Sequence, residues 1–313
     1  MMRSNDILEA LERDGIALIP SFVDGDQLPA MQRAFESRLT HLRANNIDGY
    51  DKTERARDMI EDVLLLEQGF VDLGLHDLFL QVAREYVGPA FQLVEAKGWR
   101  SRPTKEFHGW HGDAWYDQSA VTDQIPRELK VGLYLTDVRT GGLAYRRGSH
   151  RTFVPRNFGA ADLAGRDESE VIHAVGPAGT VAIFDTSGIH RQSMPTLERR
   201  HAIFYCYHDP GLPLQREDIA YHRYHPLLLN AAFLGGLSQE KQRVLGFGDC
   251  RHFIPAYTRK PRYQLLHRLF QSTLEGRLWW DDVIEPVQRR LRRLRAAPPA
   301  APPLASNVGP DND

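Results

Sequence analysis

The residues with the clearest chemical potential lie in a segment rich in aromatic residues and glycine, Phe107 to Trp115. Within it, His111 and Asp113 are separated by a single glycine. In an extended chain such residues project from the same face. An imidazole and a carboxylate on one face are two of the three protein ligands that bind non-haem Fe(II) while other coordination positions stay open. Because a His-x-Asp pair also arises by chance, the segment predicts a metal site only if a second histidine reaches it from elsewhere in the chain.

The candidate for that histidine is His190. An apolar run from Val181 to Phe184 leads into a short polar turn that ends at His190. The chain between His111 and His190 is long enough to form several strands. Beyond it, Arg199 and Arg200 begin a second β-rich run. An arginine there can bind the distal carboxylate of a dicarboxylate ligand through a bidentate, charge-assisted pair. The two arginines point to opposite faces if the strand is regular, and strand geometry alone does not choose between them.

Composition limits the class of protein. The 313 residues are 42% hydrophobic and 26% charged, with a formal net charge of −2, whereas a general nucleic-acid binder is normally basic. Two cysteines, Cys206 and Cys250, exclude a disulfide framework and a thiolate zinc site. No apolar run approaches the roughly 18 residues of a membrane span, and the N-terminus lacks a signal sequence. We therefore expect a cytoplasmic protein that acts on a small molecule as a monomer or homodimer, with no nucleic-acid or membrane partner.

The hydrophobic pattern changes twice along the chain. Residues 90–210 contain short apolar runs separated by glycine and proline turns, one of them at Gly141-Gly142, which favours a β-sandwich or jelly-roll over a parallel α/β sheet. Helical patterns precede and follow this region. They cover 3–13, a stretch through Leu28 and Leu42, 54–68, 76–87, 239–245, 259–273 and 274–295. We expect one domain over residues 1–295 and a disordered, Ala- and Pro-rich tail over 296–313.

Four motifs in order resemble those of a known family. They are Leu11–Pro20; His111-Gly112-Asp113; Leu133–Asp137 with Gly141–Leu143 and Gly148-Ser149-His150; and Ala178–Phe184 followed by His190 and Arg200. Together they make most of residues 8–208 similar to the phytanoyl-CoA dioxygenase family of Fe(II)/2-oxoglutarate oxygenases. The residue before Gly148 departs from the family pattern, because arginine stands where proline is usual.

The resemblance implies a fold, cofactors and site residues. The fold is mainly β with flanking helices, and its double-stranded β-helix (jelly-roll, cupin-like) core covers about residues 90–210. Iron is bound by His111, Asp113 and His190. Arg200 binds the C5 carboxylate of the cosubstrate 2-oxoglutarate. Gln192 stands where the family often has a serine that helps to hold that carboxylate. O₂ is the oxidant, and succinate and CO₂ are released.

The resemblance also bears on the reaction. Related halogenases replace the carboxylate ligand by a small residue, whereas Asp113 is present here, so we expect hydroxylation of an unactivated C–H bond and not halogenation. Desaturation or ring closure depends on the substrate, which the sequence does not identify. A cluster of basic residues indicates either an anionic substrate, such as a metabolic or natural-product intermediate, or a solvated rim. The cluster consists of Arg100, Arg102, Lys105, Arg146 and Arg147.

Two other classes of function fit part of the pattern. A metal-dependent hydrolase would use the same three ligands on zinc, with a bound water as nucleophile, but would leave Arg200 unexplained. A non-catalytic, cupin-like binding protein would keep the fold, and a damaged ligand set would favour it, but all three ligands are intact. Trp110 and Trp115 are expected in the pocket wall or the core, where either can stack on a ligand.

Overall fold

A computed structural model shows the fold. It describes residues 2–41, 56–60, 63–105, 109–113, 116, 125–152, 168–212 and 227–247, with isolated positions between 280 and 291. Residues 1–254 form one compact unit and residues 255–313 a second. Apart from those isolated positions, the predicted helices over 259–273 and 274–295 and the predicted tail over 296–313 lie outside the described residues. The single domain over residues 1–295 therefore stays a prediction.

Two antiparallel sheets form the centre of the described structure. The major sheet has the order β1 (Ile16–Ile19), β7 (Val181–Asp185), β4 (Leu129–Tyr134), β9 (Arg200–His208), β3 (Gln92–Ser101) and β2 (Arg57–Ile60). The minor sheet has the order β6 (Val171–Gly176), β5 (Val138–Arg146) and β8 (His190–Gln192). Every neighbouring pair is antiparallel. The predicted jelly-roll is confirmed.

Helices cover one face of the major sheet. They are α1 (Ser4–Asp14), α2 (Gln27–His41), α3 (Gln68–Gly74), α4 (Asp77–Tyr86) and α5 (Gln239–Val244). Helix α1 ends where Gly15 adopts φ 81°, a left-handed conformation that glycine accepts without strain. Ser238 caps α5, because its side chain accepts a hydrogen bond from the Lys241 amide. None of the helices within the described residues combines the length and the apolar character needed to cross a membrane.

The strands of the major sheet have a mainly apolar face toward the helices and a mixed face, with apolar and polar side chains, toward the minor sheet. In β4, the side chains of Leu129, Val131 and Leu133 join the apolar core beneath the helices. Alternation then turns Lys130 and Tyr134 toward the minor sheet. The cross-strand partner of Lys130 on β9 is Cys206, which shares this inner face. The space between the sheets is therefore the region where polar side chains converge.

Two predictions of local structure are wrong. Residues 57–60, predicted within a helix over 54–68, form β2, which pairs with β3 from Arg57 opposite Ser101 to Ile60 opposite Gly98. Ladder hydrogen bonds to the edge of the sheet outweigh the local helical pattern. The Gly141-Gly142 pair is not a turn but lies inside β5, where the register with β6 shifts. A φ of 69° at Gly141 allows the chain to continue through that irregularity.

Candidate metal centre

The segment that carries His111 and Asp113 is held against the turn that leads to β8. His111 and His190 exchange two backbone hydrogen bonds, one from the His111 amide (3.0 Å) and one from the His190 amide (2.8 Å). The Asp113 amide donates to the Thr186 carbonyl at 2.8 Å. These bonds place two segments that are distant in sequence side by side, and the two imidazole centroids lie 4.4 Å apart.

The donor atoms of His111, Asp113 and His190 converge on one point. All lie within 4.8 Å of one another, and among the described residues they form the His/Cys/Asp/Glu group able to hold a metal ion. The Asp113 carboxylate oxygens lie 3.9 Å from His111 Nε2 and 3.6 Å from His190 Nε2. Two donors bound to one ion at about 2.1 Å lie roughly 3 to 4.2 Å apart, so these separations fit a shared metal.

Both imidazoles are oriented for metal binding by their other nitrogen. His111 Nδ1 lies 3.1 Å from the Gly109 carbonyl, and His190 Nδ1 lies 2.8 Å from the Gly188 carbonyl. A carbonyl only accepts, so each Nδ1 carries the proton and each Nε2 keeps its lone pair for the metal. Two imidazoles and one carboxylate form the facial ligand set of non-haem Fe(II).

The Ser149 hydroxyl supports the turn before His190. It accepts a hydrogen bond from the Ile189 amide (2.8 Å) and donates to the Arg146 carbonyl (2.7 Å). At Gly188, an added Cβ would lie 1.9 Å from the Tyr145 hydroxyl, so only glycine fits there. The Gly148-Ser149-His150 motif is thus connected to the metal centre through the backbone that positions His190.

Trp110 directly precedes His111 and contacts two arginines. The guanidinium carbons of Arg191 and Arg146 lie 4.2 Å and 4.8 Å from its ring centroid. Such cation–π contacts contribute about 0.5–2 kcal/mol each, depending on solvent exposure. They help to anchor the segment that carries His111 and Asp113. Trp110 was expected in the pocket wall or core, and it stacks between two arginines; Trp115 lies outside the described residues.

Lys130 contacts the carboxylate ligand directly. Its Nζ donates to Asp113 Oδ2 at 2.9 Å, and its side chain is 11% exposed. Burial on its own would raise the pKa of Asp113, but the Lys130 ammonium holds that pKa well below its usual range. Burial would lower the pKa of Lys130, but the Asp113 carboxylate raises it above its ordinary value. Both groups are therefore charged at neutral pH.

A second cluster lies where Arg200 enters the inner face. Arg200 is 5% exposed and donates to the carbonyl of Gly141 (2.6 Å), to Gln192 Oε1 (3.1 Å) and, more weakly, to Ser101 Oγ (3.4 Å). Gln192 is oriented by its own bond to Thr196 Oγ1 (2.9 Å). Burial lowers the pKa of Arg200, but a guanidinium stays protonated in proteins.

The buried guanidinium of Arg200 has a hydrogen-bond donor that is not used. Its Nε has no hydrogen-bond partner, and no carboxylate of the described residues pairs with it. A buried charge is costly unless it is paired, so this arrangement fits an anionic ligand. Arg199, the alternative arginine, is exposed.

Most of the basic cluster near the motifs is engaged inside the protein. Arg100 and Arg102 both pair with Asp58, Arg147 pairs with Asp14, and Arg146 stacks on Trp110. Lys105 is exposed. These contacts give four of the five basic residues a structural role that does not require an anionic substrate.

Sequence reasoning missed Lys130 and Ser101. A signal for Lys130 exists in the sequence, because it interrupts an apolar strand between Leu129 and Val131. A lysine at such a position is either solvated or directed at a buried anion. For Ser101 the sequence holds no comparable signal, since a serine at the end of a strand is ordinary.

Comparison with known proteins places the chain in a family. The profile of the phytanoyl-CoA dioxygenase (PhyH) family matches residues 11–202, more than half of the chain. The ectoine dioxygenase of Stutzerimonas stutzeri (strain A1501) is 25% identical over 238 residues, which cover 64% of this chain and 76% of that protein. The family profile spans His111, Asp113, His190 and Arg200.

Solved structures share the fold. The epimerase SnoN in complex with Fe³⁺, alpha ketoglutarate and nogalamycin RO has a TM-score of 0.54 at 17% identity, covering 70% of this chain and 88% of SnoN. HygX from Streptomyces hygroscopicus with nickel and 2-oxoglutarate bound has a TM-score of 0.51 at 18% identity, covering 69% of this chain and 90% of HygX. The chain belongs to the phytanoyl-CoA dioxygenase (PhyH) family and is an Fe(II)- and 2-oxoglutarate-dependent dioxygenase.

Proposed function

We propose that this dioxygenase hydroxylates an unactivated C–H bond of a small molecule, using iron bound by His111, Asp113 and His190. In this proposal Arg200 binds the distal carboxylate of 2-oxoglutarate, and Gln192 orients the guanidinium. The observation that carries the proposal is the buried, unpaired Arg200 cation in the same inter-sheet space as the three metal donors. A metal hydrolase has no use for that cation.

The protein's own residues bind, orient and exclude water. Three donors on one face leave three of six coordination positions for the cosubstrate and O₂. When bound, iron and 2-oxoglutarate supply the oxidising chemistry, with release of succinate and CO₂. Arg200 is already ordered by Gly141 and Gln192, so little side-chain entropy is lost when it receives a carboxylate. Such preorganisation favours one orientation of the cosubstrate.

Hydroxylation is favoured over halogenation because the carboxylate ligand is present and is held in place. Asp113 has both a backbone bond to Thr186 and a side-chain bond to Lys130. A halide has no vacated ligand position to fill. The measurement is product mass under ¹⁸O₂: a gain of one labelled oxygen atom supports hydroxylation, and a chlorinated product would refute it.

The substrate class is proposed from the relatives. One relative is named an ectoine dioxygenase, SnoN has nogalamycin RO bound, and another HygX structure has hygromycin B bound. We propose a small polar metabolite or natural product, and a panel of such compounds assayed for succinate release is the way to find it. The cytoplasmic location, the monomer or homodimer state and the lack of a nucleic-acid or membrane partner stay predictions.

The first test removes a metal ligand. His190→Ala should lose most Fe(II) binding, measured anaerobically by titration, because a three-ligand site reduced to two is weak. Wild-type iron stoichiometry and turnover in this variant would contradict the assignment. An activity that persists without O₂ and without 2-oxoglutarate would instead support the hydrolase.

The second test compares neighbouring arginines. Arg200→Met should weaken 2-oxoglutarate binding to the Fe(II) form at least about 30-fold, since truncating one partner of a buried charge pair costs roughly 2 kcal/mol or more. Iron binding should change little. Arg199→Met is the matched control, because that side chain is exposed. If Arg199→Met has the large effect and Arg200→Met does not, the wrong arginine has been chosen.

A further inference from the structure

Lys130 occupies an unusual position for a lysine. It lies within β4, an interior strand of the major sheet flanked by β7 and β9. Its cross-strand partners are Phe184 and Cys206. An apolar side chain would pack there without the cost of moving an ammonium group out of water. The 2.9 Å bond to Asp113 Oδ2 is a contact that offsets this cost.

The geometry of that bond bears on how the carboxylate binds a metal. A carboxylate has two oxygens and can occupy either one or two coordination positions. Asp113 Oδ2 accepts a hydrogen bond from the Lys130 ammonium and also lies 3.6 Å from His190 Nε2, while Oδ1 lies 3.9 Å from His111 Nε2. An oxygen that carries a strong charge-assisted hydrogen bond is a poorer second ligand. A two-oxygen mode would also leave one position fewer for cosubstrate and O₂.

We propose that Lys130 is a positioning residue that restricts Asp113 to binding iron through one oxygen and so keeps three coordination positions open. The inference rests on the proposed metal site and deepens it. Lys130 acts through Asp113 and needs no contact with substrate. The positive charge of Lys130 also repels the metal cation. Removing it is therefore expected to keep or raise the affinity for Fe(II) while lowering the affinity for 2-oxoglutarate.

The experiment compares Lys130→Met and Lys130→Arg with the wild-type protein. Fe(II) affinity and 2-oxoglutarate affinity are measured separately under anaerobic conditions, together with the free energy of unfolding. Lys130→Met should bind Fe(II) as tightly as the wild type or more tightly, yet need at least about tenfold more 2-oxoglutarate, a change equal to roughly 1.4 kcal/mol. Lys130→Arg keeps a cation with N–H donors, so it should recover most of the 2-oxoglutarate affinity.

Arg147→Met is the matched control, since it removes an ion pair of similar length, 2.8 Å to Asp14 Oδ1, that does not involve a metal ligand. It should leave both affinities unchanged. Lys130→Met with both affinities within twofold of wild type would overturn the proposal, as would a parallel loss of both. A purely structural lysine would change the unfolding free energy without separating the two affinities.

A measurement on the wild-type protein covers the case in which Lys130→Met does not fold. A crystal structure with Fe(II) and 2-oxoglutarate should show Asp113 bound through one oxygen and the other oxygen still bonded to Lys130. Coordination through both oxygens would refute the role of Lys130 while leaving the iron site intact. No iron at His111 and His190 would instead refute the proposed function.

Discussion

The two faces of the major sheet use the same strands for different purposes. The outer face, beneath the helices, is mainly apolar; Phe35, Val131 and Ile203 are fully buried there. The inner face carries buried charges on the same strands, among them Lys97, Lys130 and Arg200. Apolar burial stabilises a fold without demanding a ligand, whereas each buried charge needs a partner. Within the described part of the chain, Arg200 has no carboxylate partner, and it marks the place where a ligand is expected.

On the inner face, one buried charge has its partner within the protein. Lys97 Nζ lies 2.7 Å from Glu95 Oε2, and both side chains are at most 10% exposed. The buried polar residues on the outer face include Asp185, which is 2% exposed beneath α4. It accepts hydrogen bonds from the Tyr86 hydroxyl (2.7 Å) and the Ser187 amide (2.8 Å). If the comparison is right, outer-face changes alter stability, and inner-face changes alter ligand binding.

The largest effect on stability is expected at Phe35. Its ring is fully buried in α2 against the outer face, and Phe35→Ala should cost about 3–5 kcal/mol of unfolding free energy because a cavity remains. Arg33→Ala, at an exposed position on the same helix, should change it by less than about 0.5 kcal/mol. Denaturant unfolding measures both. Loss of Fe(II) affinity in the folded fraction of Phe35→Ala would break the division between the faces.

The next largest effect is the dependence of the unfolding free energy on pH through the titration of Asp185. Burial raises the pKa of this carboxyl to about 6, whereas an unfolded aspartate titrates near roughly 4. The folded protein therefore binds more protons between these values, and stability contributed by this group falls as pH rises through that window. Asp185→Asn lacks this dependence, so its stability relative to wild type should improve by about 3 kcal/mol between pH of roughly 4 and 7.

Tyr86→Phe sharpens that test. The Tyr86 hydroxyl donates to Asp185 and so lowers the carboxyl pKa relative to burial alone. Without it the pKa of Asp185 should rise further and move the pH dependence to higher pH. Unfolding free energies measured across the pH range report both variants. If the unfolding free energy of Asp185→Asn changed with pH in parallel with that of the wild type, the Asp185 carboxyl would not be the source of the pH dependence.

The smallest effects are expected from a matched pair of glycines on opposite faces. At Gly98 an added Cβ would lie 2.5 Å from Phe35 Cε2 on the outer face, and at Gly132 it would lie 2.7 Å from Phe204 Cε1 on the inner face. Gly98→Ala should destabilise the protein by about 1–3 kcal/mol through overpacking, with ligand affinities unchanged. Gly132→Ala should displace the Phe204 ring and weaken 2-oxoglutarate binding a few-fold. Equal effects of both variants on binding would remove the distinction between the faces.

The sequence alone determined features that depend on local spacing. His111 and Asp113 share a face because they are two apart in an extended segment, and α1 ends at Gly15 because glycine accepts a positive φ. The jelly-roll was predictable from short strands between turns. The apolar run before His190 indicated it as the candidate third ligand, and the family resemblance favoured Arg200 over Arg199.

The tertiary structure decided the features that depend on which segments meet. His190 lies opposite His111 through reciprocal backbone bonds, and Arg200 is buried while Arg199 is exposed. Residues 57–60 form a strand because the edge of β3 offers them ladder hydrogen bonds. The contact of Lys130 with Asp113 joins two segments whose separation in the chain says nothing about their distance in space. Local spacing constrains side chains on one element, whereas contacts between elements depend on the packing of the whole sheet.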